Sequence, residues 1–511
     1  MPNAFAFIVV FSWPLAVYVL FRFLPRIEAL GWSIVAGYLL LPTRAGMDFP
    51  LIPLIDKDAI PGLAAAVALA FGMGANAAKR AESANINKGD NGWGTLKIFM
   101  PFLFILLASP VITVLTNSET LVYGPIVLPA LRIYDALSII GRIVFTVLPF
   151  LLAARYLASP ESHAKLLKVI VLAMLAYTLP MLFEIRMSPQ LNVMFYGFFP
   201  HEFLQHMRGG SFRPVVFLYH GLWVAILMAM AIVGAVALWR QRIFEGSRAG
   251  QWLFSGLYLL LVLFMSSNLG ALAIAVGLVP AALLLGARGQ VLLAGAISLV
   301  VLLYPVLRST DLVPVDKVVE VAERINPDRA ASLQYRLDNE DALGAKAAEK
   351  PFAGWGIWGR NQIFDPDTGR VLSVTDGAWI IIIGVYGWLG YIAQFGLLTL
   401  PTILLAFGRR SAALTPATAG LTLVMGANLF DLLPNATLTP ITWLVGGALA
   451  GFCVYRAPEQ APENGPIREM PQRSWGLLTD RPKQAQAKAQ GAVPEWHGPS
   501  RPARRMGRED A

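Results

Sequence analysis

Three arginines, one aspartate and a group of tryptophans and glycines are the residues of this chain best suited to chemistry. Arg208 and Arg213 flank Gly209-Gly210-Ser211-Phe212, and Arg336 lies in a second polar stretch. A guanidinium presents several donors in a fixed fork and keeps its charge, which suits phosphate and diphosphate. Glycines beside it let backbone approach a ligand closely. The competing role for such arginines is anchoring at lipid headgroups or pairing with acidic neighbours. Asp376 opens an apolar run and is followed by Gly377, Ala378 and Trp379. A carboxylate there suits accepting a proton from a sugar hydroxyl. It equally suits capping a helix, with Thr375 or Asp376 bonding the first free N–H groups.

Other polar residues are open to two readings each. His220 falls inside an apolar run, where a polar group is either functional or a satisfied interhelical bond. Asp135, Ser138 and Arg142 share one helical face, which fits a buried charge network better than a substrate site. Glu184 and Arg186 are equally ambiguous. Trp355 and Trp358 lie in Gly354-Trp-Gly-Ile-Trp-Gly359, near Trp379 and Trp388. Interfacial tryptophans form belts in membrane proteins, and sugars also stack their apolar faces on such rings. The sequence holds no P-loop, no His-Glu-x-x-His and no metal-spaced carboxylate pair. Cys453 is the single cysteine, so no intramolecular disulfide and no cysteine metal site are expected. Neither a metal nor a cofactor is expected.

The elements that must position these residues are membrane spans. Of the 511 residues, 56% are hydrophobic and 14% charged, against about a quarter charged in soluble domains, and the mean hydropathy is +0.58. Apolar runs of roughly 18 to 25 residues recur, the length that crosses ~30 Å of hydrocarbon. The runs are continuous rather than alternating, which excludes a transmembrane β-barrel. The expected fold is an all-α polytopic integral membrane protein with about 12–14 transmembrane helices and one large extracytoplasmic helical loop. Spans are expected near 4–23, 28–42, 59–77, 98–116, 131–154, 165–184, 215–239, 251–267, 269–286, 290–307, 376–407, 417–433 and 437–455. The 251–286 region is either two spans split at Ser267-Asn268-Leu269 or one long run. The first run, 4–23, lacks a preceding basic stretch and reads as a retained span.

Lys and Arg concentrate in alternate loops: Arg22 and Arg26; Lys79, Arg80, Lys88 and Lys97; Arg155, Lys165 and Lys168; Arg240, Arg242 and Arg248; Arg288; Arg409 and Arg410; and the tail. The enriched side is expected to be cytoplasmic. The net charge of +9 is then topological and implies no nucleic-acid partner. The chain divides into transmembrane helices over 1–307 with an outer loop at 185–214, an extracytoplasmic loop at 308–375, further transmembrane helices over 376–455 and a cytoplasmic tail at 456–511. The tail has too few aliphatics to bury a core and is expected to be disordered. Within 308–375, helices are expected over 315–325 and 328–349, the second with Leu333, Leu337, Leu343 and Ala347 on or near one face, together forming a cap on the outer surface.

The ordered pieces resemble the O-antigen polymerase and ligase superfamily of bacterial envelope polysaccharide assembly. They are Arg208-Gly-Gly-Ser-Phe-Arg-Pro214 before a span, Ser266-Ser-Asn-Leu-Gly270 between two spans, Arg336-Leu-Asp-Asn-Glu-Asp-Ala-Leu343 leading to Lys350-Pro-Phe-Ala-Gly-Trp-Gly356, and Asp376-Gly-Ala-Trp379 running into Gly384-Val-Tyr-Gly-Trp-Leu-Gly390. They cover about 205 to 390. The resemblance implies glycosyl transfer from an undecaprenyl-diphosphate carrier to an acceptor sugar outside the bacterial cytoplasmic membrane. A chain-length regulator and a flippase are the implied protein partners. It implies that Arg208 and Arg336 hold the diphosphate; the chemistry of the residues themselves makes Asp376 the candidate base, with Arg213, His220, Asn268, Trp355, Trp358 and Trp379 as candidate substrate contacts. Two departures stand out. Asp376 occupies a position where ligases typically carry His before Asn, which favours polymerase-like members. Asn268 stands where the family often has Arg, a role Arg213 is placed to fill. The alternatives are a ligase transferring glycan to lipid or protein, and a transporter of the same superfamily.

Overall fold

Every apolar run of the sequence contains a helix in the computed structural model, which describes residues 1–49, 52–74, 96–208, 211–310, 312, 314–325, 327–408 and 414–455. Among the described residues, six helices are long and apolar enough to cross a membrane: Ala4–Phe23, Ile133–Tyr156, Pro160–Met187, Gly221–Phe244, Ala287–Ser309 and Ala378–Phe407. Shorter helices occupy the other expected spans: Arg26–Leu40, Ile60–Ala70, Met100–Leu115, Gly250–Met265, Leu269–Leu284, Pro416–Asp431 and Pro440–Val454. Phe5, Ile8, Phe11, Leu15, Tyr18 and Phe23 of the first helix are all exposed. A water-facing helix would not present so continuous an apolar face, and the chain is a membrane-embedded α-helical protein. The tail at 456–511 lies outside the described residues.

Gly221–Phe244 is buried on nearly all sides, packed by Pro160–Met187, Gly250–Met265, Leu269–Leu284 and Pro416–Asp431. Small residues allow the closest approaches. On Pro440–Val454, a Cβ added at Gly447 or Gly451 would collide with the carbonyls of Phe150 and Ala154 on Ile133–Tyr156. Two glycines four apart thus let backbone meet backbone, as in membrane helix pairs that pack through small residues. The 250–284 region is two helices, because Ser267 adopts a φ of 57° between them.

Among the described residues, three short antiparallel hairpins interrupt the helical pattern, pairing Gly46–Phe49 with Ile52–Asp56, Leu121–Tyr123 with Ile126–Leu128, and Met207–Arg208 with Ser211–Phe212. All three lie in connections, where hairpin pairing satisfies backbone groups that helices leave over. Hydrogen bonds tie the connections together in pairs. Asn3 donates its N–H to Tyr196 O (2.9 Å), Arg44 donates to Pro200 O (2.9 Å), Lys57 to Phe217 O (3.0 Å) and Lys350 to Thr116 O (2.9 Å). Arg26 donates to Met73 O (3.1 Å), Arg240 to Ala282 O (2.6 Å) and Arg288 to Leu405 O (2.8 Å).

The polar stretch after Ala287–Ser309 forms two helices, Val315–Ile325 and Pro327–Ala348. Proline at the first position of the second helix is compatible with its missing N–H. Leu337, Leu343 and Ala347 are buried, and this helix packs on Ala378–Phe407.

Candidate functional site

Ala378–Phe407 is broken at Gly387, whose φ of 64° and ψ of −166° leave the helical region. The break frees backbone groups that lipid cannot satisfy. The 351–356 segment fills them. Trp388 N donates to Pro351 O (2.8 Å) and Leu389 N to Phe352 O (3.2 Å), while Gly384 O accepts from Trp355 N (2.8 Å) and Val385 O from Gly356 N (2.9 Å). Glycine is required on both sides: a Cβ at Gly387 would strike the Phe352 backbone, and one at Gly354 the Val385 carbonyl. Thr113 and Asn117 brace the segment from behind, donating to Ala353 O (2.6 Å) and Gly354 O (2.9 Å). Lys350 and Arg360 both pair with Glu119, and these opposing cations hold the Glu119 carboxyl below the usual range against its partial desolvation, the largest influence on it.

This seam carries the loop helix across the start of Ala378–Phe407, and there the site residues meet. Arg336 Nε lies 3.4 Å from Asp376 Oδ2, with the two side chains 35% and 32% exposed. Arg336 Nη1 also donates to Pro434 O (3.3 Å). Asp376 does not cap the helix. The N-cap is Gly377, without a side-chain bond, and the first free N–H, on Ala378, is taken by the carbonyls of Leu432 (3.0 Å) and Asn435 (3.2 Å). Gly377 packs against the Leu433 carbonyl so closely that a Cβ would collide. Asp376 is therefore left free to face Arg336. Asn339 fixes the approach of the chain by accepting from Val374 N (2.8 Å).

Around this pair lie groups that the sequence did not single out. Glu340, one turn beyond Arg336, is buried. Burial pushes its carboxyl up to about 7, opposed by the Arg308 charge, with Asp341 and Asp376 raising it further. Arg308 pairs with Asp341 (2.6 Å). Tyr304 meets Trp379 edge-on at 5.2 Å. Asp431 is buried, accepts from Asn435 (2.9 Å) and Thr437 (2.6 Å), and has Arg336 as an electrostatic neighbour. The spacing of Glu340 to Arg336 was a usable signal, since residues four apart share a helical face. Arg308 and Asp431 gave none, being brought in by other helices.

The remaining candidates fall elsewhere. Trp355 is buried, donates to Lys346 O (2.8 Å) and lies between the Lys346 and Lys350 ammonium groups, 3.6 and 4.6 Å from its centroid. Its faces are occupied by protein. Trp358 is 59% exposed and adopts a φ of 65°. Arg208 pairs through its backbone with Ser211; its side chain, like Gly209 and Gly210, lies outside the described residues. Arg213 donates its N–H to His206 O (2.8 Å), and its stem covers Gly221. Ser211 bonds Ser267 (2.7 Å), joining this hairpin to the turn before Leu269–Leu284. Asn268 is buried there, with its amide committed to Ser266 (3.1 Å). His220 lies ahead of the span rather than within it, capping Gly221–Phe244 by accepting from Leu222 N (3.1 Å). Arg142 reaches Asp56 (2.9 Å) and Asp58 (3.6 Å) rather than Asp135, which instead accepts from Arg132 N (2.7 Å). Glu184 accepts from the N–H groups of Leu191, Val215 and Val216.

The arrangement offers a half-exposed carboxylate oriented by a guanidinium, beside a buried carboxyl able to exchange a proton near neutral pH. That combination suits moving a proton to or from a polar ligand. No protein-family model matches the chain, and no curated protein is similar to it.

Proposed function

We propose that this protein is a lipid-linked oligosaccharide polymerase of the bacterial inner membrane. In this reading the polar cap of 308–375 faces outward and the Lys- and Arg-rich connections face the cytoplasm. The observation that carries it is the Arg336–Asp376 pair, 3.4 Å apart and open to solvent where the cap meets a span. The acceptor sugar hydroxyl attacks the anomeric carbon of the undecaprenyl-diphosphate-linked glycan. Its proton passes to the Asp376 carboxylate, the bond from the anomeric carbon to the phosphate oxygen breaks, and undecaprenyl diphosphate leaves as an anion. Arg208 and Arg213 stabilise that leaving anion, as fixed cations do where charge develops. Arg336 orients Asp376 and shares the anion. Trp358, which is exposed, lines the approach of the sugar, and the buried Trp379 supports the site from beneath. The carboxyls of Glu340, Asp341, Asp376 and Asp431 on this side outnumber the arginines, so the site favours the acceptor hydroxyl, with the diphosphate nearer the Arg208 loop.

The test is reconstitution of the full chain in liposomes with lipid-linked single repeats. Polymer is expected from the wild type, and none from Asp376→Asn or Arg336→Ala at equal membrane abundance. Full-length polymer from Asp376→Asn overturns the assignment of the base. Transfer of one glycan to a lipid or protein acceptor, without polymer, replaces polymerase by ligase.

A transporter is the second reading, favoured by the break at Gly387 and by the Asp56–Arg142–Asp58 cluster beside a span. Broken helices and charges near the midplane mark transport sites. Here, however, the freed backbone groups are bonded to the 351–356 segment. Movement of lipid-linked glycan across the bilayer without bond formation would favour this reading.

A further inference from the structure

The loop between Pro160–Met187 and Gly221–Phe244 gathers three of the chain's five histidines. His201 precedes the short helical turn Phe203–His206, His206 closes it, and His220 caps the next long helix. His201 is exposed, His206 and His220 are buried, and one ring nitrogen from each lies within 4.8 Å of the others. The ring centroids are 4.4 Å (His206–His220), 4.9 Å (His201–His220) and 6.0 Å (His201–His206) apart.

We propose that His201, His206 and His220 form an open site for a divalent transition-metal ion of the zinc class. Three imidazoles sharing one tetrahedral ion at about 2.0–2.1 Å have centroids roughly 5 Å apart and nitrogens roughly 3.3 Å apart. The centroids already have that spacing, and the nitrogens need to converge by at most about 1.5 Å. Exposed His201 has the freedom to supply most of that movement. An all-imidazole set without carboxylate suits zinc, copper or nickel rather than magnesium or calcium. Phe199 and Trp223 pack against His206 and His220 at 5.6 and 6.1 Å, an apolar shell of the kind that limits water around a metal. The exposed side at His201 leaves the fourth position to water or an anionic oxygen.

Ligation through His220 has a defined consequence. Its Nδ1 now accepts from Leu222 N, so a neutral ring carries its proton on Nε2. Metal entry at either nitrogen breaks that cap, directly at Nδ1, and at Nε2 because the ring proton then moves to Nδ1. Because His206 O also accepts from Arg213 N, the ion would tie the hairpin bearing Arg208 and Arg213 to the start of Gly221–Phe244. The site is independent of the transfer reading and stands or falls without it.

The test uses the full chain in detergent, without a polyhistidine tag, stripped by chelator and titrated with Zn2+ by calorimetry and elemental analysis. One ion per chain is expected. His206→Phe keeps a ring in the cluster but cannot ligate, and His201→Ala removes an exposed ligand with little effect on packing. Each should weaken binding at least tenfold. Co2+ in place of Zn2+ should give the visible bands of a tetrahedral site in the wild type only. Binding no tighter in the wild type than in these variants overturns the proposal and leaves the histidines as an aromatic cluster. The background from His163, buried against Thr418, and from His497 is common to all the proteins compared.

Discussion

Asp376 and Glu340 divide the acid–base capacity of the site by their surroundings. Asp376 is a third exposed and faces a guanidinium. Glu340 is buried, and its carboxyl is raised to about 7. For a carboxyl whose folded pKa is raised, the folded state retains the proton to higher pH than the unfolded state. Stability therefore falls as pH rises from the unfolded value, about 4.3, to about 7, and is level above that. Glu340→Gln should remove this slope. Its melting temperature in detergent should exceed that of the wild type at pH 8 and match it more closely at pH 4.5. A parallel shift at both pH values would show that Glu340 is not the group responsible. Trp355 marks the limit of reasoning from residue type. Its place in a glycine-rich motif is equally compatible with a sugar platform and a structural wedge, and only the two lysines on its ring decide for the wedge.

At the scale of elements, the joint between 351–356 and the break at Gly387 holds the site together. Gly387→Val should force a side chain into backbone torsions open essentially only to glycine, at about 1–3 kcal/mol, and drive a Cβ into the Phe352 backbone. Loss of several degrees in melting temperature, or of folded protein altogether, is expected. Gly270→Val is the control, since a Cβ there meets nothing within 4 Å and its φ is unremarkable. Equal effects of the two substitutions would remove the special role of the joint. The boundaries of Val315–Ile325 and Pro327–Ala348 were legible because proline and glycine punctuate them. The helix start at Gly221 was not legible from hydropathy, because 215–220 is as apolar as a span but turns, with Val216 at a φ of 54°. Nor was the break at Gly387, since an apolar run reads alike whether its helix is continuous or interrupted.

For the whole molecule, the distribution of Lys and Arg leads to one orientation test. In a Cys453→Ala background, Gln334→Cys on the cap helix should react with an impermeant maleimide on spheroplasts. Ser247→Cys, after Gly221–Phe244, should react only once the membrane is opened. The reverse pattern would invert the orientation and remove the cap from the outer surface.

The sequence by itself determined the helices, the membrane environment and the two helices of the polar stretch after Ala287–Ser309. Those follow from local physics: backbone hydrogen bonds close within four residues, and hydrocarbon demands apolar side chains over a set length. It also brought Arg336 and Asp376 forward, because strong charges at the edge of spans are few. Only the tertiary structure decided which polar groups meet. Lys350 bonds Thr116, 234 residues away, and Asn117 bonds Gly354 across 237. The carboxyls around Arg336 come from three segments, and the three histidines come from one loop whose path no periodicity records. Contacts of that kind depend on how helices pack, and packing depends on pairs such as Gly447 with Phe150, which a linear reading cannot match.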